Sequence, residues 1–268
     1  MQSVPGRRPC RGAQLQSIQL REIRKRPDSC PLRLPGLSVF LPSHNEEGNV
    51  ERVVGAYLAE LPRITDDYEV IVVDDGSRDR TGELADQLAS AHPEVKVVHH
   101  PVNRGYGEAV ISGIRAASKP YVLLCDGDGQ FDPADLERMI PFVPEYDVVA
   151  GRRASRADPL MRRINGRAWS ELVRILLGIT ISDIDCGFKL FKREKLDAMD
   201  LRAHGAMIST ELMARLAGRG AKVKEVDVRH LPRLTGEQSG ASFKVVMRAF
   251  KELFTLYRDL KSERKALK

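Results

Sequence analysis

Glu69-Val-Ile-Val-Val-Asp74, followed by Asp75-Gly-Ser-Arg-Asp79 and then Thr81–Ala91, is the stretch on which the fold turns. Consecutive β-branched residues suit a strand buried on both faces; the Asp-Gly-Ser turn ends it, and helical spacing follows. The unit recurs on either side. Upstream, the strand-like Leu37-Ser-Val-Phe-Leu-Pro42 leads through a polar turn into a helix predicted over Gly48–Leu61. Downstream, strands at Val95–His99 and Tyr121–Cys125 flank a helix at Gly107–Ala117. Such alternation predicts an α/β fold with a parallel, helix-covered sheet, whose functional groups gather beyond the carboxyl ends of the strands. After Ala150 the rhythm changes. Pro159–Leu177 reads as a basic amphipathic helix, Cys186–Phe191 as a strand, Ser209–Gly218 as a helix and Val223–Val228 as a strand. A Gly-rich loop over Pro232–Ser242 then precedes a long amphipathic helix at Phe243–Leu260. With no internal repeat or linker, residues 35–268 read as one domain with a front half, 35–150, and a rear half, 151–268.

The 268 residues, 42% hydrophobic and 30% charged, have the composition of a soluble globular protein large enough to need no disulfide staples. No apolar run approaches the roughly 18 residues a membrane span requires. The four cysteines, Cys10, Cys30, Cys125 and Cys186, form no CxxC pair and read as free thiols of a reducing, cytoplasmic compartment. The net charge of +6 invites a polyanionic partner, but its distribution is uneven. Residues 1–34 hold eight Lys and Arg against two acids. Residues 35–147 hold 21 acids against nine bases, and residues 148–268 hold 14 acids against 26 bases. The Pro- and Arg-rich residues 1–34 read as a disordered basic extension; a transit peptide is the other reading, though no clear cleavage signal stands there. A nucleic-acid-binding module would rest on this extension, whereas the divided body argues for no nucleic-acid partner.

Three strand ends carry polar clusters. Cys125-Asp-Gly-Asp-Gly-Gln130 sets two carboxylates at i and i+2 on an unwinding strand, with small Gly127 between them. The pair suits a hard divalent cation, Mg2+ or Mn2+, or equally a solvated turn. Val72-Val-Asp-Asp-Gly-Ser77 suits hydrogen bonds to a base or ribose, or an N-cap cluster for the helix at Thr81. Pro42-Ser-His-Asn-Glu46 is the third cluster. Asn103-Arg-Gly-Tyr-Gly-Glu-Ala109 lacks the third glycine of a dinucleotide fingerprint, and no GxxxxGK[ST] exists, which disfavours dehydrogenases and P-loop NTPases.

Taken in order, Phe40-Leu-Pro-Ser-His-Asn-Glu46, Val73-Asp-Asp-Gly-Ser-Arg-Asp79, Asn103-Arg-Gly-Tyr-Gly107, Asp126-Gly-Asp128 with Gln130, Gly151-Arg-Arg153 and Cys186-Gly-Phe-Lys189 resemble the motif set of glycosyltransferase family 2. The branch most similar is that of the dolichol- or polyprenyl-phosphate mannose and glucose synthases, over residues 37–243. The resemblance implies a GT-A fold with a Rossmann-like, mostly parallel central sheet flanked by helices, a GDP- or UDP-hexose donor, a divalent metal and inverting transfer. It also implies roles. Pro42, His44, Glu46, Val73 (through its backbone), Asp75, Asp126 and Gly127 would form the nucleotide-sugar site, and Asp126, Asp128 and Gln130 would hold Mg2+ or Mn2+. Arg153, Arg233 and Ser239 would meet phosphate groups, with Arg167 of the basic helix grouped beside them. Asp128, Arg153 and Asp185 are the catalytic candidates. The synthases follow the loop serine with a lysine; Gly240 stands there instead, with Lys244 as the candidate substitute.

An acceptor that is a lipid phosphate is already an anion and needs no general base, whereas a hydroxyl acceptor would need one, with Asp183 and Asp185 as candidates. The expectation is therefore hexose transfer to a polyprenyl phosphate. The rivals are a soluble or polysaccharide hydroxyl acceptor and, further off, a nucleotidyltransferase. Arg163, Arg167 and Arg174 share one face of the basic helix, and Lys244, Arg248 and Lys251 interleave with apolar residues in the last helix. Both helices suit peripheral attachment at the inner membrane face, or packing in the core or in a homo-oligomer.

Overall fold

Successive side chains of the central strands enter two separate cores, which is why those strands read as unbroken apolar runs. The computed structural model describes residues 32–153, 171–197, 199–233 and 252–262. The chain divides into two units, Met1–Pro31 and Leu32–Lys268, and every described residue belongs to the second. Its strands are β1 (Leu37–Ser43), β2 (Tyr68–Asp74), β3 (Val95–His99), β4 (Tyr121–Cys125), β5 (Val148–Arg153), β6 (Phe188–Lys192) and β7 (Val223–Val228). They form one seven-stranded sheet in the order β3-β2-β1-β4-β6-β5-β7. Only β6 runs against its neighbours β4 and β5.

The helices are α1 (Val50–Ile64), α2 (Thr81–Ala91), α3 (Tyr106–Ala116), the single turn α4 (Leu136–Met139), α5 (171–177), α6 (Met207–Gly218) and α7 (252–262). On one face of the sheet, Val39, Leu41, Val70, Val72 and Leu123 meet α1 and α2. The α1 stripe of Val50, Val53, Val54, Tyr57, Leu61 and Ile64 has the spacing of a buried helical face. On the other face, Phe40, Ile71, Val73, Val122 and Leu124 meet α3, α5, α6 and α7. At Gly113 of α3 a Cβ would stand 2.2 Å from the Phe40 ring, so the helix seats directly on β1.

At the amino ends of the strands, buried Glu69 accepts hydrogen bonds from Ser38 Oγ (2.6 Å), the Ser118 N–H (2.7 Å), Ser118 Oγ (2.8 Å) and the Lys96 ammonium. One carboxylate thus ties β1, β2, β3 and the turn before β4 together. Leu34, placed by sequence in the extension, is buried, and its N–H donates to the Ile64 carbonyl.

The expected helix ending at Leu61 runs one turn further, to Ile64, with Pro62 inside its last turn. Strand β5 escapes a reading by pattern because only Val148-Val-Ala150 is apolar before Gly151-Arg-Arg153. Its glycine is required: a Cβ at Gly151 would lie 2.9 Å from the Phe188 carbonyl oxygen and 3.1 Å from Cys186 Sγ. Among the described residues no helix is long and apolar enough to cross a membrane. Cys125 and Cys186 are buried free thiols.

Candidate active site at the carboxyl ends of the strands

Parallel pairing sets Ser43, Asp74 and His99 side by side at the ends of β1, β2 and β3. Antiparallel β6 pairs Phe188 with Cys125, so the chain entering β6 meets the chain leaving β4. The Asp126 N–H donates to the Gly187 carbonyl (3.1 Å) and the Gly127 N–H to the Pro42 carbonyl (3.3 Å). Both glycines are demanded by these approaches. A Cβ on Gly187 would lie 1.9 Å from Asp126 Oδ2, and one on Gly127 would lie 2.4 Å from Ser43 Oγ. The Tyr106 hydroxyl, at the start of α3, donates to Asp126 Oδ1 (2.8 Å).

Burial pushes the Asp126 carboxyl up to about 6, and the Asp128 charge adds to this against the Tyr106 hydrogen bond and the positive Lys189 and Arg153. Lys189 is fully buried in β6; its ammonium donates to the Cys186 carbonyl, and burial lowers its pKa. Asp128 accepts the Gln130 N–H on Oδ1 (3.0 Å). The next turn places Gly129 at φ 72°, a left-handed conformation that side chains rarely adopt, with the Arg52 guanidinium where a Cβ would stand.

The donor set fits a hard divalent cation. Two carboxylates leave one strand end within mutual electrostatic reach, and the strain between them is the kind that a cation relieves. Among the described residues no cluster of three or more His, Cys, Asp or Glu forms a closed cage. Two carboxylates without a cage are what Mg2+-type ions use when water and phosphate oxygens complete the shell. Gln130, the third expected ligand, donates its side-chain amide N–H to the Leu231 carbonyl (3.1 Å).

The β2 end is organised internally. Asp75 is buried; Oδ1 accepts the Arg104 N–H (2.8 Å) and lies 2.6 Å from His100 Nδ1, while Oδ2 accepts the Gly105 N–H (2.8 Å). Its carboxylate orders the loop entering α3, with His100 Nε2 in turn 2.9 Å from Ser112 Oγ. Asp74 Oδ1 accepts the Ser77 N–H (3.0 Å), and Oδ2 lies 3.1 Å from His99 Nδ1. Gly76, at φ 64°, lets this turn press on the backbone at Val102, where a Cβ would meet the carbonyl carbon at 2.3 Å. Val73 is fully buried within the strand, between Pro42 and Val98. His44 is exposed, with Nδ1 3.0 Å from the Asp75 carbonyl oxygen. Glu46 is buried; it accepts from Asn49 Nδ2 (2.6 Å) and from the Arg233 guanidinium, and burial raises its pKa.

In the rear half, Arg153 at the end of β5 grips Asp183 with Nε (2.8 Å), Nη2 (2.7 Å) and its backbone N–H (3.1 Å). Burial works against the charged guanidinium, but Asp183 keeps its pKa above the ordinary arginine value. Asp185 is exposed beside this pair. Arg233 brings Nη1 to 3.7 Å from Asp128 Oδ2, so a residue expected at the acceptor phosphate stands at the acidic pair. Arg167, Ser239, Gly240 and Lys244 lie outside the described residues, as do residues 159–170 of the first expected amphipathic helix and 243–251 of the second.

Sequence reasoning gave no role to Tyr106, Gly187 or Lys189, although all three lie in motifs it quoted, and passed over Arg52 and Asn49. The signal available was the glycine pairing: glycines that no turn conformation requires mark a close approach by something else.

Residues 38–199 match the family described as Glycosyl transferase family 2. Undecaprenyl-phosphate 4-deoxy-4-formamido-L-arabinose transferase from Pectobacterium atrosepticum is 31% identical over 216 residues, 80% of this chain and 65% of that protein. The chain thus spans slightly less than two thirds of that relative's length. Polyprenol monophosphomannose synthase from Mycolicibacterium smegmatis is 32% identical over 224 residues, 78% of this chain and 83% of that protein. Glucosyl-3-phosphoglycerate synthase from Mycobacterium tuberculosis, crystallised with Mn2+, uridine diphosphate and glucosyl-3-phosphoglycerate, shares the GT-A-like fold. Its TM-score is 0.60 at 22% identity, over 84% of this chain and 77% of that one. With the ordered motifs gathered at one sheet edge and a match that spans most of the central sheet, the chain belongs to glycosyl transferase family 2.

Proposed function

We propose that this protein is an inverting hexosyltransferase that moves a sugar from a nucleoside diphosphate hexose to a polyprenyl phosphate. The observation that carries the reading is the convergence of Arg233, from the rear half, on the carboxylate pair of the front half. A diphosphate held at Asp126 and Asp128 would lie beside a guanidinium able to meet a second phosphate. One relative is named an undecaprenyl-phosphate transferase and the other a polyprenol monophosphomannose synthase, which supports a polyprenyl phosphate acceptor.

Each residue then has a physical task. Asp126 and Asp128 would hold Mg2+ or Mn2+, which supplies positive charge to the departing diphosphate. Tyr106 fixes the Asp126 carboxylate, and Gly187 gives it room. Asp75 shapes the nucleoside side of the crevice by ordering residues 104–105. Asp183, gripped by Arg153, is poorly placed to accept a proton, which leaves exposed Asp185 as the base that a hydroxyl acceptor would need; a lipid phosphate would need none. Exposed Ile175 and Leu176 on α5 and Phe254 on α7 give these helices apolar contacts for a membrane interface, where such an acceptor resides.

The test is transfer of radiolabelled hexose from GDP- and UDP-sugars, with Mn2+ or Mg2+, into an organic extract containing undecaprenyl or dolichyl phosphate. Label should enter the lipid phase only with metal and lipid phosphate present. Transfer to water-soluble acceptors alone would overturn the lipid reading.

A further inference from the structure

We propose that Glu225, on the edge strand β7, is a positioning residue for phosphate recognition: it holds the turn that carries Asp183, and through Asp183 it fixes the Arg153 guanidinium as a preset donor to the acceptor phosphate. The inference rests on the reading of a lipid-phosphate acceptor met by Arg153, and adds the side chain that aims that arginine.

Parallel register sets Glu225 beside Ala150 and Asp227 beside Arg152, so β7 lays acids along the strand that ends in Arg153. Asp227 takes Arg152 Nε at 2.6 Å. Glu225 turns instead to the connection between α5 and β6. There its Oε1 accepts the Ser182 N–H (2.8 Å), Ser182 Oγ (3.1 Å) and the Asp183 N–H (3.0 Å). Ile181 and Ile184 are buried in the core beneath α5 and α6, so the turn is anchored by apolar contacts at both flanks and by one carboxylate oxygen between them. The same turn leads on to Cys186, whose N–H donates to the Asp183 carbonyl (3.3 Å).

Asp183 passes this order to Arg153. Oδ2 accepts Nε and the backbone N–H, and Oδ1 accepts Nη2, a two-pronged grip on one edge of a planar group. Nη1 lies away from that edge and has no hydrogen-bond partner among the described residues, and the side chain is 18% exposed. The charge of the held guanidinium acts on Asp126, which places it at the crevice of the acidic pair. A long side chain that must be ordered on binding costs affinity, and one already held does not. Nη1 can meet a phosphate while Nε and Nη2 stay on Asp183, so no ion pair has to break.

The experiment measures binding of farnesyl phosphate, a short polyprenyl phosphate, to the full chain, together with the KM of the donor sugar. Glu225→Ala should weaken farnesyl phosphate binding about fivefold, the order of one side chain's ordering cost, with the donor KM within twofold. Because Ser182 is exposed, water can replace the lost acceptor and the variant should keep its fold. Glu225→Gln, which keeps an oxygen where Oε1 stands, should recover the affinity, and Glu225→Asp, one methylene shorter, should fall between. Glu225→Ala combined with Arg153→Gln should bind no more weakly than Arg153→Gln alone, since Glu225 acts through that arginine. A further loss in the double variant, or a glutamine variant as weak as the alanine one, would overturn the positioning role. So would full affinity in Glu225→Ala beside weakened binding in Arg153→Gln, which would leave Arg153 at the phosphate. Farnesyl phosphate binding that Arg153→Gln leaves unchanged, with the donor KM raised, would instead move Arg153 to the donor diphosphate and overturn the acceptor reading, and the inference with it.

Discussion

Gly187→Ala isolates the geometry of the acidic pair. The residue does not occupy a glycine-only backbone conformation, so alanine brings one methyl group and no dihedral strain. That methyl would stand 1.9 Å from Asp126 Oδ2 and 2.2 Å from its Cγ. Comfortable carbon–oxygen contact needs about 3.4 Å, so the carboxylate must retreat by roughly 1.5 Å or β4 and β6 must part. Retreat breaks the 2.8 Å Tyr106 bond; parting the strands stretches the 3.1 Å bond from the Asp126 N–H to the Gly187 carbonyl. Misplacement by about 1 Å costs reacting groups roughly 100-fold, near 2.7 kcal/mol of transition-state stabilisation. Overpacking removes about 1 to 3 kcal/mol of stability besides, a fall of several degrees in Tm for a chain of this size. The assay is kcat/KM for sugar transfer across a Mn2+ titration, well below the variant's own Tm, so that unfolding does not enter. The expected result is a loss of roughly 100-fold with a raised Mn2+ requirement. A folded Gly187→Ala protein within twofold of the original in both kcat/KM and Mn2+ dependence would refute the argument that Asp126 works from this position.

Tyr106→Phe removes only the hydroxyl that orients Asp126; transfer should fall by about tenfold with little change in Tm, and unaltered kcat/KM would show that the hydroxyl does not orient the carboxylate. Asp75→Asn confronts the backbone N–H groups of Arg104 and Gly105 with an amide that has one acceptor oxygen in place of two. Its donor-sugar KM should rise about tenfold and its stability fall by about 2 kcal/mol, as read by steady-state kinetics and urea unfolding. An unchanged donor KM would detach that loop from the nucleoside site. Glu69 gives the pH dependence: burial alone would raise its pKa, but the Lys96 ammonium, Ser38 and Ser118 pull it down to about 2 from 4.5. Since the unfolded chain binds this proton more readily, the contribution, about 3 kcal/mol, is complete above pH 4.5 and lost as pH falls through the folded value near 2. The gap in urea midpoint between the original and Glu69→Gln should therefore be constant near neutrality and narrow below pH 4.5; a gap indifferent to pH would contradict the linkage.

Local pattern carried the front half of the fold because β1, β2 and β4 are buried on both faces and end in polar turns, while the half-exposed edge strand β3 still keeps its β-branched residues. Val95–His99, Tyr121–Cys125 and Thr81–Ala91 stand where their residue types put them. Pattern failed where a strand is apolar for only half its length, as at β5, and it could not give the direction of β6. That direction matters, because running β6 antiparallel is what sets Gly187 against Asp126. Asp75 was legible as a polar group at a strand end, but its internal partners are Arg104 and Gly105, about 30 positions away, and no spacing rule reaches them. Arg233 and Glu46 are 187 positions apart, so their pairing exists only once β7 lies at the sheet edge.

The uneven charge of the two halves acquires a physical sense at these contacts. Acids outnumber bases by 21 to nine in residues 35–147, and bases outnumber acids by 26 to 14 in residues 148–268. Where the halves meet, Arg229 pairs with Asp132 and Asp135, Arg233 pairs with Glu46 and Asp128, and the charge of buried Lys189 acts on Asp126. Arg229 and Arg233 are thus committed to front acids, and Arg153 is held by Asp183 of its own half, which opposes their use as an open polyanion surface. An anionic ligand arriving alone at Arg229 or Arg233 must take that arginine from its carboxylate and leave the carboxylate unpaired, at a cost that grows with burial. On the proposed function, a diphosphate arriving with its own divalent cation would bring positive charge to those carboxylates and so avoid that penalty. The charge division therefore suits the proposed donor, a metal-bound nucleoside diphosphate sugar, which would carry both signs.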